Sequence, residues 1–334
     1  MVTEAVRPAV VSWRVDKATL GGDSLFQRNH HCFSRAQGLT FATVNATHPK
    51  EALEHVGELL RQHGSVLIAD TATAFSPQYS LQRGMWLDMA KYLATYDVIV
   101  PVTHPPSPLY IGSYALYLKD SSRGRAFLKN WMSTQSLCER KPLRPRGFAK
   151  NILYATILGY LAETVDPSVL SRWPTLESSC SLERKTLHAF FMARCFELWS
   201  SDKSVDSMKQ LLLDRTGILL AHEPFSFNAA VLQKGEGDVD QWWKGVAADS
   251  LLIHAGGVAH NSEVFLRRLA SLLGYEVAND GCIRSITEED QRIRQKETSR
   301  EAFWHLLEKT LLLIMLLCLV QVVLLAFFVF YKLA

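Results

Sequence analysis

Asp70 and His254 are the residues of this chain whose positions best suit chemistry, because each ends a short apolar run. Asp70 closes residues 66–69, and His254 closes residues 251–253. Such runs predict buried strands, and ligands gather at the carboxyl ends of strands in open α/β sheets. A carboxylate and an imidazole at adjacent strand ends could bind one divalent cation. We therefore predict that Asp70 and His254 share a metal.

Two glycines, Gly256 and Gly257, follow His254 after a single alanine. Because they lack a Cβ atom, they would let the backbone approach a phosphate closely. Taken singly, however, neither polar residue requires a function. An aspartate at a strand end often caps a turn, and a lone histidine is often hydrogen-bonded within a core. The predicted site therefore depends on the two strand ends being neighbours.

The elements that would position these residues alternate between helix and strand. A helix is predicted from about Pro49 to Gly64, since its apolar residues fall on one face, and a strand follows that ends at Asp70. Residues 97–102 form a second apolar run, and a helix is predicted after Asp120 with Phe127 on its buried stripe. This alternation predicts an α/β domain with a mixed, largely parallel sheet.

Four segments of the chain follow one another in an order that is typical of one enzyme family. They are Cys32-Phe33-Ser34-Arg35-Ala36-Gln37-Gly38-Leu39-Thr40-Phe41, residues 50–70 with Pro77 beyond, residues 110–131 ending in Phe127-Leu128-Lys129-Asn130-Trp131, and residues 241–257 containing His254-Ala255-Gly256-Gly257. This order resembles a GT-A glycosyltransferase domain. The likeness is to the galactosyl-, mannosyl- and xylosyl-transferase group and to related glycosyltransferase-like proteins of nematodes.

The resemblance implies a nucleotide-diphospho-sugar transferase fold and a role for each site residue. Asp70 and His254 would hold Mn²⁺, and the nucleotide-sugar donor would lie against Asp70, Gly256, Gly257 and Lys150. The implied reaction transfers a hexose or pentose to an acceptor hydroxyl on a glycan or a protein. No residue is assigned to the catalytic step itself.

Two carboxylates that this family uses are missing from the sequence. The DxD motif is reduced to Asp70-Thr71-Ala72, and Ala149 stands where the family has an acidic residue, next to Lys150. The alternative interpretation is therefore a catalytically inactive glycosyltransferase-like scaffold or adaptor on an organelle membrane. A third interpretation sets the resemblance aside and leaves a tail-anchored protein of unknown binding function.

The C-terminal residues 311–331, from Leu311 to Tyr331, are apolar except for Gln321. At 1.5 Å per residue a helix of this length covers the roughly 30 Å hydrocarbon core of a bilayer. We predict a transmembrane helix at 310–332, a charged helical stalk at 286–309 and a glycosyltransferase-like domain at 1–285.

The predicted span also suggests an orientation. Five basic residues precede it (Arg292, Arg294, Lys296, Arg300 and Lys309), and Lys332 follows it. This asymmetry, with no apparent N-terminal signal, predicts a tail-anchored protein of the endoplasmic reticulum or Golgi with a cytosolic domain. The family resemblance implies the alternative, a lumenal domain.

Cysteine usage and charge bear on the cellular compartment and on the kind of partner. The six cysteines include no CxxC pair, and those outside the span fit reduced thiols, with a disulfide left open. Asn45-Ala46-Thr47 is a glycosylation sequon that matters only for a lumenal domain. The net charge of +3 is small and its basic residues are scattered, so we expect no nucleic-acid partner.

Overall fold

The structure is a computed structural model of the 334-residue chain. It describes residues 8–15, 25–46, 49–70, 73–81, 83–103, 110–111, 115–139, 156–157, 210, 212–214, 216–221, 251–254, 266–267, 270–271, 274–286, 304, 307–311 and 315. The chain divides into two compact units, residues 1–284 and residues 285–334.

The first unit is built on a seven-stranded sheet in the order β2-β1-β3-β7-β5-β6, with β8 also paired to β5. Its strands are β1 (Ala9–Val15), β2 (Phe41–Ala46), β3 (Ser65–Asp70), β5 (Val98–Thr103), β6 (Tyr110–Ile111), β7 (Ala115–Lys119) and β8 (Ile218–Ala221). A separate ribbon pairs β4 (Thr73–Phe75) with β9 (Leu252–His254), and β10 (Tyr275–Val277) pairs with β11 (Ile283–Ser285).

The strand directions confirm the predicted α/β class and its mixed sheet. Strands β1, β2 and β3 are parallel to one another, and β8 is parallel to β5. Because β7 is antiparallel to both β3 and β5, β5 runs in the same direction as β3. Five of the seven strands therefore point one way, while β6 and β7 point the other.

Five helices are described: α1 (Leu25–Gln37), α2 (Pro49–His63), α3 (Pro77–Leu81), α4 (Arg83–Ala94) and α5 (Ser122–Glu139). Helices α2 and α5 cover one face of the sheet, and the predicted apolar residues of α2, from Ala52 to Leu60, are buried there. The other face packs against Phe33 of α1, Tyr79 of α3 and Met89 of α4. Alternate strand residues supply both cores, as the two-residue period of a strand requires.

A disulfide joins two distant parts of the first unit. Cys32 of α1 is bonded to Cys282, which directly precedes β11 and lies 250 residues further along the chain. The sequence left a disulfide open for these cysteines, and the structure pairs two of them. The bond holds the β10–β11 hairpin against α1.

Beyond residue 286, the described residues of the second unit are 304, 307–311 and 315, and they are helical. Trp304, Leu307, Leu311 and Met315 are exposed there. No helix among the described residues is long and apolar enough to cross a bilayer. Most of the predicted span lies outside the described residues, as does most of the predicted stalk.

Candidate active site

Asp70 lies where the winding of the sheet reverses. From β1 the chain moves outward to β2 and then returns to β3 on the other side of β1, with α1 and α2 on opposite faces. Such a reversal opens a crevice beyond the carboxyl ends of the two central strands, where open α/β sheets bind their ligands. Asp70 is the last residue of β3 and pairs in register with Trp13 of β1. Its carboxylate is partly exposed at this edge.

The ribbon of β4 and β9 brings the backbone of His254 to the same edge. Thr73 of β4 pairs directly with His254 of β9. The Thr73 hydroxyl donates a hydrogen bond of 2.7 Å to Oδ1 of Asp70. Asp70 and His254, which are far apart in sequence, are therefore both next to Thr73. Their predicted roles as metal ligands stay predictions.

The ribbon geometry sets how close Thr73 and His254 come. Across the ribbon, the Ser76 N–H donates to the Leu251 carbonyl at 2.9 Å. Bonded and non-bonded pairs alternate along an antiparallel ladder, so the Thr73–His254 pair is a non-hydrogen-bonded one. Such pairs have the shorter Cα–Cα separation, about 4.5 Å. The backbone N–H and C=O groups of Thr73 and Phe75 therefore point away from β9.

Helix α1 bonds to two of those outward-facing groups. Nε2 of His30 lies 2.6 Å from the Thr73 carbonyl oxygen, and Oδ1 of Asn29 accepts the Phe75 N–H at 2.8 Å. Asn29 also donates through Nδ2 to the Gly281 carbonyl at 3.3 Å. His30 and Asn29 are both fully or almost fully buried. The side chains of α1 thus take the place of a third strand beside β4.

The protonation of His30 follows from these contacts. Because a carbonyl oxygen can only accept, Nε2 must carry the proton and Nδ1 a lone pair. Among the described residues Nδ1 has no hydrogen-bond partner. Burial lowers the pKa of His30 to about 4, against the smaller opposing effects of the Thr73 carbonyl and the Asp70 charge. His30 is therefore a neutral donor at neutral pH.

Aromatic rings make an apolar floor beneath this hydrogen-bonded layer. Phe33 stacks on Phe75 with ring centroids 3.6 Å apart, and His30 meets the same ring edge-on at 5.6 Å. Phe75 is fully buried. The low local polarity strengthens the hydrogen bonds around Thr73.

The remaining predicted site residues, Lys150, Gly256 and Gly257, lie outside the described residues, as does Ala149. Within the part of the chain that the structure describes, no group of three or more His, Cys, Asp or Glu residues could hold a metal ion. A cation held by Asp70 and His254 would need oxygen ligands from water and from a diphosphate to complete its shell.

Sequence reasoning did not identify His30, Asn29 or Thr73 as parts of this site. His30 and Asn29 lie in α1, and no helix was predicted there. Thr73 comes three residues after Asp70, the end of the predicted strand β3. An amphipathic pattern was present, since Phe26, His30 and Phe33 recur at helical spacing and are buried. The pairing of α1 with β4 is a long-range contact that no local pattern specifies.

Comparisons with known proteins gave similarities to solved structures only. No family model matches the chain, and no curated protein matches its sequence. Among solved structures, the chain is similar to a glycosyltransferase involved in the glycosylation of the major capsid of PBCV-1. The TM-score is 0.42 at 11% identity, and the match covers 78% of this chain and 98% of that glycosyltransferase chain.

Proposed function

We propose that this chain binds a nucleotide sugar in a metal-dependent manner at the carboxyl edge of its sheet and transfers the sugar to an acceptor hydroxyl. The observation that supports the proposal is Asp70 at the reversal of the sheet, hydrogen-bonded to the residue that pairs with His254. This is the position at which α/β sheets bind nucleotides. The family resemblance of the four ordered segments points to the same chemistry.

The residues of the edge suit a hard divalent cation such as Mn²⁺. A carboxylate oxygen and an imidazole nitrogen are both ligands that Mn²⁺ accepts. When bound, the cation would neutralise the charge that develops on the leaving diphosphate. In this proposal Asp70 and His254 bind it, and Gly256, Gly257 and Lys150 contact the donor phosphates. The donated sugar is a hexose or pentose, and the acceptor is a glycan or a protein.

A second candidate function is an inactive glycosyltransferase-like scaffold or adaptor. The specific observation in its favour is the loss of the second DxD carboxylate, since Ala72 follows Asp70 and Thr71. A cation with only two protein ligands binds weakly. In this case the fold would be retained for binding a partner, and the edge would bind neither metal nor nucleotide.

We also propose that a helix at residues 310–332 anchors the protein in the endoplasmic reticulum or Golgi and that the folded domain faces the lumen. The apolar length of residues 311–331 supports the anchor. The Cys32–Cys282 disulfide supports the lumenal side, because disulfides persist in oxidising compartments and are rare in the cytosol. The cytosolic orientation that the basic residues suggested stays the alternative.

Calorimetric titration of the full-length protein in detergent tests the proposed function. The probes are UDP-glucose, UDP-galactose, UDP-xylose and GDP-mannose, each with and without Mn²⁺. The transferase proposal predicts saturable binding of at least one donor only when Mn²⁺ is present. Because no acceptor is added, any turnover is slow hydrolysis, in which water takes the sugar and the nucleoside diphosphate leaves. No binding of any donor, with or without Mn²⁺, would contradict both the transferase and its metal site and would favour the inactive relative.

A further inference from the structure

The outward edge of β4 is held by two adjacent residues of α1. His30 donates to the Thr73 carbonyl, and Asn29 accepts the Phe75 N–H. Both side chains are buried, so water does not compete for these backbone groups. An unmet buried backbone group is costly, and the two bonds therefore fix the position of β4 against α1.

Thr73 connects this support to the candidate metal ligands. Its carbonyl accepts from His30, its hydroxyl donates to Asp70, and its backbone pairs with His254. A shift of β4 away from α1 would therefore move the donor that orients the Asp70 carboxylate. The same shift would carry β9, and with it His254, because the two strands form one ribbon.

Asn29 ties the same arrangement to the β10–β11 hairpin. Its amide bridges Phe75 of β4 and the carbonyl of Gly281. The hairpin is attached to α1 by the Cys32–Cys282 disulfide one helical turn beyond Asn29. Helix α1 is thus attached to the hairpin as well as to β4, and this attachment supports the position of β4.

We propose that His30 and Asn29 are positioning residues of the Asp70–His254 site, acting through Thr73, the residue that both candidate metal ligands neighbour. This inference rests on the proposed function. Residues that orient metal ligands typically change metal affinity by about 10–100-fold when they are removed. The essential feature of His30 is its Nε2 donor, and that of Asn29 is its amide oxygen.

Two substitutions of His30 in the full-length protein separate the donor from the ring. His30→Phe keeps an aromatic ring against Phe75 but removes the donor, whereas His30→Gln keeps a nitrogen donor at a similar reach. Thr134→Val is the matched control, because Thr134 of α5 is buried and its hydroxyl bonds within its own helix. The measurement is Mn²⁺ affinity by electron paramagnetic resonance, with thermal unfolding measured in parallel.

We expect His30→Phe to weaken Mn²⁺ binding by at least about tenfold and His30→Gln by no more than about threefold. Thr134→Val should lower the unfolding temperature without changing Mn²⁺ affinity. Equal losses in the two His30 variants would overturn the inference, because the donor would then be irrelevant. Unchanged affinity in both would overturn it as well.

Thr73 provides a second pair of variants if His30→Phe does not fold. Thr73→Val removes the donor to Asp70, and Thr73→Ser retains it. Only Thr73→Val should lose Mn²⁺ affinity, again by at least about tenfold. Similar affinities in the two variants would contradict the proposed connection between β4 and Asp70.

Hydrogen exchange distinguishes failure of this inference from failure of the proposed function. If the unaltered protein binds Mn²⁺ neither alone nor with any of the four nucleotide sugars, the proposed function is wrong. Exchange of the Phe75 amide hydrogen then tests whether Asn29 holds β4 in place. The exchange rate should rise at least about tenfold in Asn29→Ala and stay unchanged in Thr134→Val. An unchanged Phe75 amide in Asn29→Ala would overturn the positioning role.

Discussion

Thr73 shows how a residue with no chemistry of its own can determine a site. Its hydroxyl donates to Asp70, its carbonyl accepts from His30, and its register partner is His254. A carboxylate that accepts a hydrogen bond is held in one orientation, which favours binding of a cation in the remaining directions. Thr73 is therefore the residue at the centre of the candidate site. Asp70, His254 and His30 each contact it or pair with it.

The buried, neutral His30 predicts a stability that depends on pH. Its pKa is about 4 in the folded protein and 6.5 when unfolded, so the unfolded chain binds the proton more readily. Its contribution to stability is complete above pH 6.5 and is lost as the pH falls toward 4. For a shift of this size the loss is about 3 kcal/mol.

Chemical denaturation at several pH values measures this effect. The unfolding free energy of the unaltered protein should fall between pH 6.5 and pH 4, and His30→Gln should show a shallower decline over the same interval. The comparison uses the slopes, since the substitution also removes ring contacts. Parallel declines in the two proteins would show that His30 does not cause the acid sensitivity.

Gly281 predicts a second effect at the scale of one residue. It has a positive φ of 80°, and a Cβ atom there would lie 2.5 Å from the backbone of Arg28 and Asn29. Gly281→Ala must push the hairpin away from α1 and strain the backbone. We expect a loss of roughly 2–4 kcal/mol in unfolding free energy.

Gly274→Ala is the control for this substitution. Gly274 also has a positive φ, but no atom of the described residues lies within 4 Å of the point that its Cβ would occupy. The control therefore carries the backbone strain without the close approach. Equal losses of unfolding free energy in the two variants would contradict the tight packing of Gly281 on α1.

At the scale of elements, apolar periodicity along the sequence predicted the helices and strands whose pattern lies within one segment. The apolar faces of α2 and α5 and the strands that end at Asp70 and Thr103 were predicted because their periodicity is contained within each segment. Strand β1, which lies between β2 and β3 where the winding reverses, was not predicted. Both of its faces are covered, and Ser12 and partly buried Trp13 follow its buried Val10 and Val11. Its identity as a strand comes from pairing with β2 and β3.

The disulfide is an element-scale feature that the sequence left open. Cys32 and Cys282 are 250 residues apart, so no spacing pattern indicates their pairing. Breaking it releases a very large loop in the unfolded chain and frees the hairpin from α1. We expect Cys282→Ser to lower the unfolding free energy by about 2–5 kcal/mol, and a reducing agent to have the same effect on the unaltered protein.

A double comparison checks the origin of that loss. In Cys32→Ser/Cys282→Ser the reducing agent should cause no further change, and mass spectrometry of the unaltered protein should recover the Cys32–Cys282 peptide pair. Reduction that leaves the stability of the unaltered protein unchanged would contradict a structural role for the bond.

At the scale of the whole molecule, the disulfide bears on the proposed lumenal orientation of the domain. The basic residues before the span suggested the cytosol, whereas the disulfide favours an oxidising lumen. Asn45 lies in the edge strand β2 within an Asn-Ala-Thr sequon. We therefore expect a glycan on Asn45 that an endoglycosidase removes and that Asn45→Gln abolishes.

Protease protection gives an independent check of the same orientation. In intact microsomes the N-terminal domain should resist added protease, and a tag fused after Ala334 should be digested. Digestion of the domain with protection of the tag would return the assignment to the cytosolic side and would leave the disulfide without an oxidising environment.

How much of the candidate site could be predicted also depends on scale. The two outer residues, Asp70 and His254, were predicted because each follows a self-contained apolar run. Their common neighbour and its support were not, because Thr73, His30 and Asn29 meet only through tertiary packing. Only the folded structure shows that Asp70 at the end of β3 and His254 at the end of β9 are both next to Thr73.

Mn²⁺-dependent nucleotide-sugar binding by two aspartate variants tests whether Asp70 holds the metal. Asp70→Asn removes the charge at the carboxyl end of β3, and Asp97→Asn removes one that precedes β5, at the amino end of that strand. In the full-length protein we predict that Asp70→Asn abolishes Mn²⁺-dependent nucleotide-sugar binding, while Asp97→Asn binds as the unaltered protein does. Equal binding by Asp70→Asn and the unaltered protein would contradict the role of Asp70 as a metal ligand.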